Sequence, residues 1–218
     1  MAARSTRPRL ALALAITATA VIAAGCGDAG DTQNTDAATQ VEAAAPDITA
    51  APAGLRWEPY QGIALPFSNT DGPASTTGGA VGGFGHTPQG AALAAIQQST
   101  RIGVAPDAQW AAVLAAGAAP GAERDSFAVN RMQVSITAPV VAAEAPTIRG
   151  YRIGDYTPER AMVTVFTSFP DTSRAATDVA VVWSDGDWRL MLPAGDSAAA
   201  VRSVDTIPSD RFVALEAP

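Results

Sequence analysis

The chain has 218 residues, about 48% of them hydrophobic, and a formal net charge of −7 at neutral pH. This length predicts a single domain with enough apolar residues for a core, although alanine makes up much of the hydrophobic share. Acidic residues outnumber basic ones by 21 to 14. We therefore expect no nucleic-acid partner, because such binding depends on neutralising phosphates with Lys and Arg.

The first residues have the pattern of an export signal. Residues 1–10 contain three arginines and no acidic residue, and residues 11–24 form an apolar run. This order is typical of a signal peptide, and the run is shorter than the ~20 residues that a membrane-spanning helix needs. We predict a signal peptide over residues 1–25. Its removal would take three arginines away and leave a net charge of −10.

Cys26 follows this segment and is the only cysteine of the chain. Residues 22–26, Ile-Ala-Ala-Gly-Cys, resemble the lipobox of bacterial lipoproteins. The resemblance implies that the thiol carries a diacylglycerol, with acyl chains such as palmitate, on the outer face of the cell membrane. In that family Leu, Val or Ile usually stands where this chain has Ala23. Two alternatives stay open, namely ordinary cleavage that yields a secreted protein and an uncleaved N-terminal anchor.

Residues 26–54 have the composition of a spacer. After the cysteine they contain acidic residues but no basic and no aromatic residue. A segment with so little apolar surface to bury is expected to stay disordered, and a flexible coil of this length reaches about 30 Å. We therefore predict a signal peptide, then a lipid-attached acidic spacer over 26–54, then one α+β domain over 55–218.

Three helices are predicted in the first half of this domain. The first runs over about 88–100, because Thr87 is a suitable N-cap and a proline occupies the first helical position. The second covers 106–117, with Asp107 as its cap. The third and weakest covers about 121–132.

The second half of the domain has strand periodicity. Asp185-Gly186 is a strong two-residue turn signal within a predicted hairpin, 178–192, in which Trp183 faces Trp188 and Val179 faces Leu192. Further strands are expected at 133–138, 147–156, 161–169 and 211–215. One face of the hairpin is strongly apolar, so its tryptophans are expected to pack in the core beneath the helices. We predict an α+β fold, with the N-terminal helices packed on a curled antiparallel sheet.

Two stretches carry a family resemblance. The hairpin Val-Val-Trp-Ser-Asp-Gly-Asp-Trp-Arg-Leu, residues 181–190, resembles a late-strand pattern of the NTF2-like, cystatin-like cone. Residues 83–92 followed by Trp110 resemble uncharacterised actinobacterial exported lipoproteins, some of which accompany conjugative elements. Those domains are similar to the extracytoplasmic domains of VirB8- and TcpC-type conjugation components. Unlike VirB8-type proteins, this chain has no predicted transmembrane helix that is retained.

Few residues of the sequence suggest a catalytic, metal-binding or ligand-binding site. His86 is the only histidine, and the ligand spacing of a metal site and the Gly-x-Ser-x-Gly elbow of a nucleophile are both absent. The glycine-rich residues 78–85 lack the Lys-Ser/Thr of a phosphate-binding loop and are predicted to form a flexible loop. We expect no catalytic residue, cofactor or metal. If the mouth of the cone holds a ligand pocket, its candidate residues are His86, Asp155 and Tyr156.

Two functions remain in view. The first is a membrane-tethered, extracytoplasmic binding or assembly module with envelope proteins as partners, serving as an accessory of conjugative transfer. The second is a small-molecule binder or isomerase-like enzyme that uses the interior of the cone. The second requires polar residues around a pocket, whereas apolar side chains filling that interior would count against it.

Overall fold

The computed structural model describes residues 45–195 and 201–216, which belong to one compact unit. The predicted signal peptide, Cys26 and most of the predicted spacer lie outside these residues. The helices are α1 (Pro88–Val104), α2 (Trp110–Gly117) and α3 (Ala122–Arg131). The strands are β1 (Leu55–Tyr60), β2 (Ile63–Ser68), β3 (Ser75–Thr77), β4 (Ala80–Gly82), β5 (Thr147–Thr157), β6 (Arg160–Ser168), β7 (Arg174–Ser184), β8 (Asp187–Met191), β9 (Val201–Ser203) and β10 (Val213–Ala214).

Three hairpins share one kind of turn. Gln61-Gly62 joins β1 to β2, Gly78-Gly79 joins β3 to β4, and Asp185-Gly186 joins β7 to β8. Both residues of each turn have positive φ, the geometry that matches the twist of the flanking strands. The predicted Asp-Gly hairpin is confirmed, including the pairing of Trp183 with Trp188. The prediction of a flexible loop was wrong at its start, where the two glycines turn a hairpin.

The main sheet is antiparallel, in the order β10-β5-β6-β7-β8, and β9 pairs with β7. Two bulges interrupt the pairing of β5 with β6, one after Ile148 and one after Ile153. The predicted pair of Val179 with Leu192 is not part of the ladder, since β8 ends at Met191. Pro193 explains this end, because a proline has no N–H to donate to the neighbouring strand.

Helix α1 covers the apolar face of this sheet. Residues 91–96 of α1 are fully buried, and the alanines among them let the helix approach the strands closely. The opposing surface consists of alternate residues of β5 to β8, which face the helix because strand side chains alternate between the two faces. The largest of them are Tyr151, Ile153, Val163, Val181, Trp188 and Leu190, all buried. The predicted α+β arrangement of helices on an antiparallel sheet is therefore confirmed.

The local predictions around α1 and α2 had different outcomes. Thr87 caps α1 as predicted, since its hydroxyl accepts a hydrogen bond from Gly90 N at 2.9 Å. The prediction that Asp107 caps α2 was wrong, because that helix begins at Trp110. The Asp107 carboxylate instead accepts bonds from Ser135 Oγ and Ile136 N, which hold the segment after α3.

Two further segments differ from the expectation. The predicted strand over 133–138 was wrong, because the chain between α3 and β5 is irregular and pairs with no strand in the described part. Residues 45–54 pack on the domain, where Gln89 Nε2 donates to the carbonyls of Asp47 and Ala50, so the packed part begins before the predicted boundary at Leu55. None of the described helices combines the length and hydropathy that a membrane crossing requires.

Candidate functional site

An aromatic cluster lies where the chain enters α1. The ring of His86 stacks on Trp183, with centroids 3.9 Å apart and an angle of 12° between the planes. Trp188 meets both rings edge-on, at 5.8 Å from His86 and 5.4 Å from Trp183. Tyr156 approaches Trp188 from the other side, at 6.2 Å. The pairing of Trp183 with Trp188 at the end of the β7–β8 hairpin positions the cluster.

A second set of contacts ties the glycine-rich segment to the same hairpin. The two carboxylate oxygens of Asp187 accept hydrogen bonds from Gly83 N and Phe84 N, at 2.8 and 3.0 Å. The indole Nε1 of Trp188 donates to the carbonyl of Gly85 at 2.9 Å. Backbone N–H groups of this kind can cradle a phosphate. Here the carboxylate of Asp187 occupies the position that such an anion would take. The hydrogen bonds of this loop therefore attach it to the β7–β8 hairpin.

The structure brings two of the three candidate pocket residues together. His86 and Tyr156 both contact Trp188, whereas Asp155 points to the opposite face of the sheet, where it pairs with Met162. The Nε2 of His86 lies 2.5 Å from the carbonyl oxygen of Pro158, so this nitrogen carries the proton and donates it. The histidine is thus held by packing and by a backbone bond, as its position at the start of the helix suggests.

A buried polar network lies beneath the start of α1. Asp71 accepts hydrogen bonds from Ser68 Oγ, Thr70 Oγ1 and Thr87 Oγ1, at 3.3, 3.0 and 2.8 Å. Thr87 therefore bridges the Asp71 loop to the first turn of the helix. The hydroxyl of Tyr151 is buried nearby and has no hydrogen-bond partner in the described part of the chain. Burial, reinforced by the negative charge of Asp71, raises the pKa of Tyr151 well above its ordinary value.

Two buried arginines also serve the fold. Arg101 lies over the ring of Tyr60 at 4.3 Å and donates to Gln97 Oε1 and to the carbonyl of Gly79. Burial lowers the pKa of its guanidinium. Arg131 donates to the carbonyl of Ala105 and pairs with the Asp107 carboxylate at 3.1 Å. Both side chains hold neighbouring loops against the helices.

Over residues 45–195 and 201–216, no three His, Cys, Asp or Glu side chains come close enough together to hold a metal ion.

A cavity lies at the other end of α1. It has a volume of about 690 Å³ and lies between the C-terminal half of α1, the first half of α3, the middle of β7 and the end of β8. Its largest lining residues are Ile102, Phe127, Met162, Leu190, Met191 and Leu192. Sequence reasoning missed this cavity, since its lining residues come from five separate elements. One available signal was Gly103, a glycine inside a helical pattern.

No curated protein and no solved structure matches the chain. A family model described as a domain of unknown function, DUF8175, matches residues 18–211, which is most of the chain. The protein therefore belongs to the DUF8175 family.

Proposed function

We propose that the protein is an extracytoplasmic binding and assembly module, tethered to the membrane by a lipid on Cys26, that assists the machinery of conjugative transfer. Its domain would be a variant of the NTF2-like, cystatin-like cone. The packing of α1 on an antiparallel sheet supports that assignment, as does the late Trp-Ser-Asp-Gly-Asp-Trp hairpin. The apolar run and Cys26 support the tether, and the hairpin and the residues 83–92 support the link to conjugation.

The observation that carries the assembly role is an exposed apolar patch on one segment. Val129, Met132, Val134 and Val141, which we call the α3 patch, are exposed by 56%, 68%, 55% and 57%. They lie on the last turn of α3 and on the irregular chain that follows. Large apolar side chains exposed on one segment in this way are a feature of protein–protein contact sites.

The packing favours binding over the enzymatic alternative. An isomerase-like enzyme using the cone interior needs space and polar groups between α1 and the sheet. At the N-terminal end of α1 that region is filled by side chains such as Trp188, which is fully buried, and the cavity at the other end of α1 has a mainly apolar lining. Of the polar candidates, His86 donates to the carbonyl of Pro158, and Asp155 lies on the opposite face of the sheet.

Conjugative transfer of the element that carries the gene tests this proposal. We expect deletion to lower the transfer frequency and the full-length chain to restore it. The double variant Met132→Glu, Val134→Glu should restore it poorly, because carboxylates replace two apolar contacts. Gln133→Glu is the matched control, since it adds a charge to the same exposed segment without removing an apolar side chain. Normal transfer after deletion, or full rescue by the double variant, would contradict the proposal.

The tether has its own test. Mass spectrometry of the mature N-terminus should show Cys26 as the first residue, with a diacylglycerol on its thiol. The variant Cys26→Ser should lose the lipid and appear in the culture medium or in the soluble fraction of the envelope. An unmodified Cys26 in the mature protein would remove the anchor from the proposal and leave a secreted protein.

A further inference from the structure

The cavity at the C-terminal end of α1 has the size and lining of a ligand site. Its volume of about 690 Å³ lies within the range of roughly 300–1,000 Å³ that is usual for small-molecule sites. Side chains from α1, α3 and three strands contribute to its walls, and most of them are apolar. Met162 and Met191 are both partly exposed at its rim. Methionine is flexible and polarisable, so these two residues can adapt to a guest of irregular shape.

Gly103 lies at the solvent-exposed side of the cavity. It lies in α1, lines the cavity, and has no positive φ that would require a glycine. A Cβ added at Gly103 would meet nothing within 4 Å. The other helical glycines differ, because a Cβ at Gly90 would lie 2.0 Å from the carbonyl oxygen of Gly85, and one at Gly117 would lie 2.2 Å from Gln98 Oε1. Packing within the fold therefore explains Gly90 and Gly117, whereas Gly103 is solvent-exposed and no neighbour requires a glycine there.

The charges around the cavity select the kind of guest. Among the described residues that line it, the charged ones are Glu123 and Asp178, and both are acidic. Asp178 is already neutralised by Arg202, whose guanidinium lies 2.5 Å from its carboxylate, and it accepts a further bond from Thr164. Glu123 forms no salt bridge with any described residue. A positive group on a guest would be attracted to Glu123, and a negative one would be repelled.

We propose that this cavity binds a small amphiphile, with its hydrocarbon part between Ile102, Phe127 and Leu190 and a cationic amine or ammonium head beside Glu123. The apolar lining supplies the binding free energy through burial of hydrocarbon. The carboxylate of Glu123 supplies the preference for a cationic head over an anionic one. This inference goes beyond the proposed assembly role and does not depend on it, because the cavity is separate from the α3 patch.

Isothermal titration calorimetry on the full chain tests the site with two probes of equal chain length. Decyltrimethylammonium should bind saturably at one site per chain, and decanoate should bind at least about tenfold more weakly because of its charge. Gly103→Trp should weaken binding of the cationic probe by at least about tenfold, because its side chain occupies the space of the hydrocarbon. Gly103→Ala is the matched control and should stay within about twofold of the wild type.

Exposed variants test the head group without risk to the fold. Glu123→Gln should weaken binding of decyltrimethylammonium by about threefold and reduce its advantage over decanoate. Asp125→Asn removes a charge from the same helical turn but does not line the cavity, so it should leave both affinities unchanged. Absence of saturable binding, equal affinity for the two probes, or an unaltered preference in Glu123→Gln would overturn the proposal. Since the titration involves neither the lipid nor transfer, its failure would leave the assembly role standing.

Discussion

The two ends of α1 are built in opposite ways. At the N-terminal end, which we call the closed end, the side chains of Thr87, Asp187 and Trp188 form hydrogen bonds with backbone groups. At the C-terminal end, which we call the open end, apolar residues and Gly103 surround a cavity. The polar and aromatic side chains of the closed end thus stabilise the fold, whereas mainly apolar side chains line the cavity at the open end. Potentially reactive side chains therefore lie at the closed end, whereas the cavity that can hold a ligand lies at the open end.

The sharpest test of this contrast compares a large residue from each end. Trp188→Ala removes a fully buried indole, its ring contacts and its bond to Gly85, so we expect the free energy of unfolding to fall by about 3–5 kcal/mol. Met191→Ala removes a half-exposed side chain at the rim of the cavity and should cost less than about 1 kcal/mol. Denaturant unfolding followed by circular dichroism measures both. Similar losses in the two variants would remove the distinction between the ends.

The carboxylate of the closed end comes next in expected size. Asp187→Ala leaves Gly83 N and Phe84 N without their acceptor, so the free energy of unfolding should fall by about 1–3 kcal/mol. Asp185→Asn is the control, because it keeps a residue suited to the same turn and changes only an exposed group. We expect that control to stay within about 0.5 kcal/mol of the wild type. Chemical denaturation at neutral pH gives both values, and an unaffected Asp187→Ala would show that the loop is held by other contacts.

Two of the helical glycines, Gly103 and Gly117, should respond to substitution with opposite signs. Gly103→Ala at the open end should raise the free energy of unfolding by about 0.5 kcal/mol, since alanine favours a helix and meets no neighbour. Gly117→Ala should lower it by about 1–2 kcal/mol, because the new Cβ would collide with the side chain of Gln98. Melting curves of the two variants side by side are sufficient. A loss of stability in Gly103→Ala would mean that the open end is packed after all.

The smallest effect concerns the hydroxyl of Tyr151, which is buried and has no hydrogen-bond partner in the described part of the chain. Tyr151→Phe removes a buried polar group that lacks a partner, so the free energy of unfolding should be unchanged or higher by up to about 1 kcal/mol. The pKa of Tyr151 is raised in the folded protein, so the wild type keeps its full stability below the ordinary tyrosine pKa and loses it as the pH rises further. Melting temperatures between pH 8 and pH 11 should therefore fall less steeply in the variant. Parallel curves would contradict the assignment of this loss to Tyr151.

Local signals in the sequence were sufficient for much of the fold. The Asp185-Gly186 turn and the Thr87 cap depend on neighbours a few residues away, and both were predictable. Asp107 has the residue type of a cap but is engaged by Ser135 and Ile136, which only the tertiary fold brings near. Long-range competition of this kind cannot be deduced from spacing along the chain.

The candidate site shows the same limit. Strict alternation along β5 would place Asp155 on the helix-facing side together with Tyr151 and Ile153. The bulge after Ile153 shifts the alternation by one residue, so Tyr156 faces inward and Asp155 outward. The cavity could not be predicted from the sequence at all, because the residues that line it come from elements that are distant in sequence.

The hydrogen bonds of the closed end also affect the order in which the parts of the molecule fold. They join residues 103 or 104 positions apart in the chain, and such distant contacts form late because closing a long loop costs entropy. The hairpins of β5 to β8 need only neighbouring residues, whereas α1 lacks most of its contact surface until those strands exist. These strands, which are synthesised after α1, are therefore expected to organise first and to serve as the template for the helix. Pulse-labelled hydrogen exchange during refolding should accordingly protect the amides of β6 to β8 before those of α1.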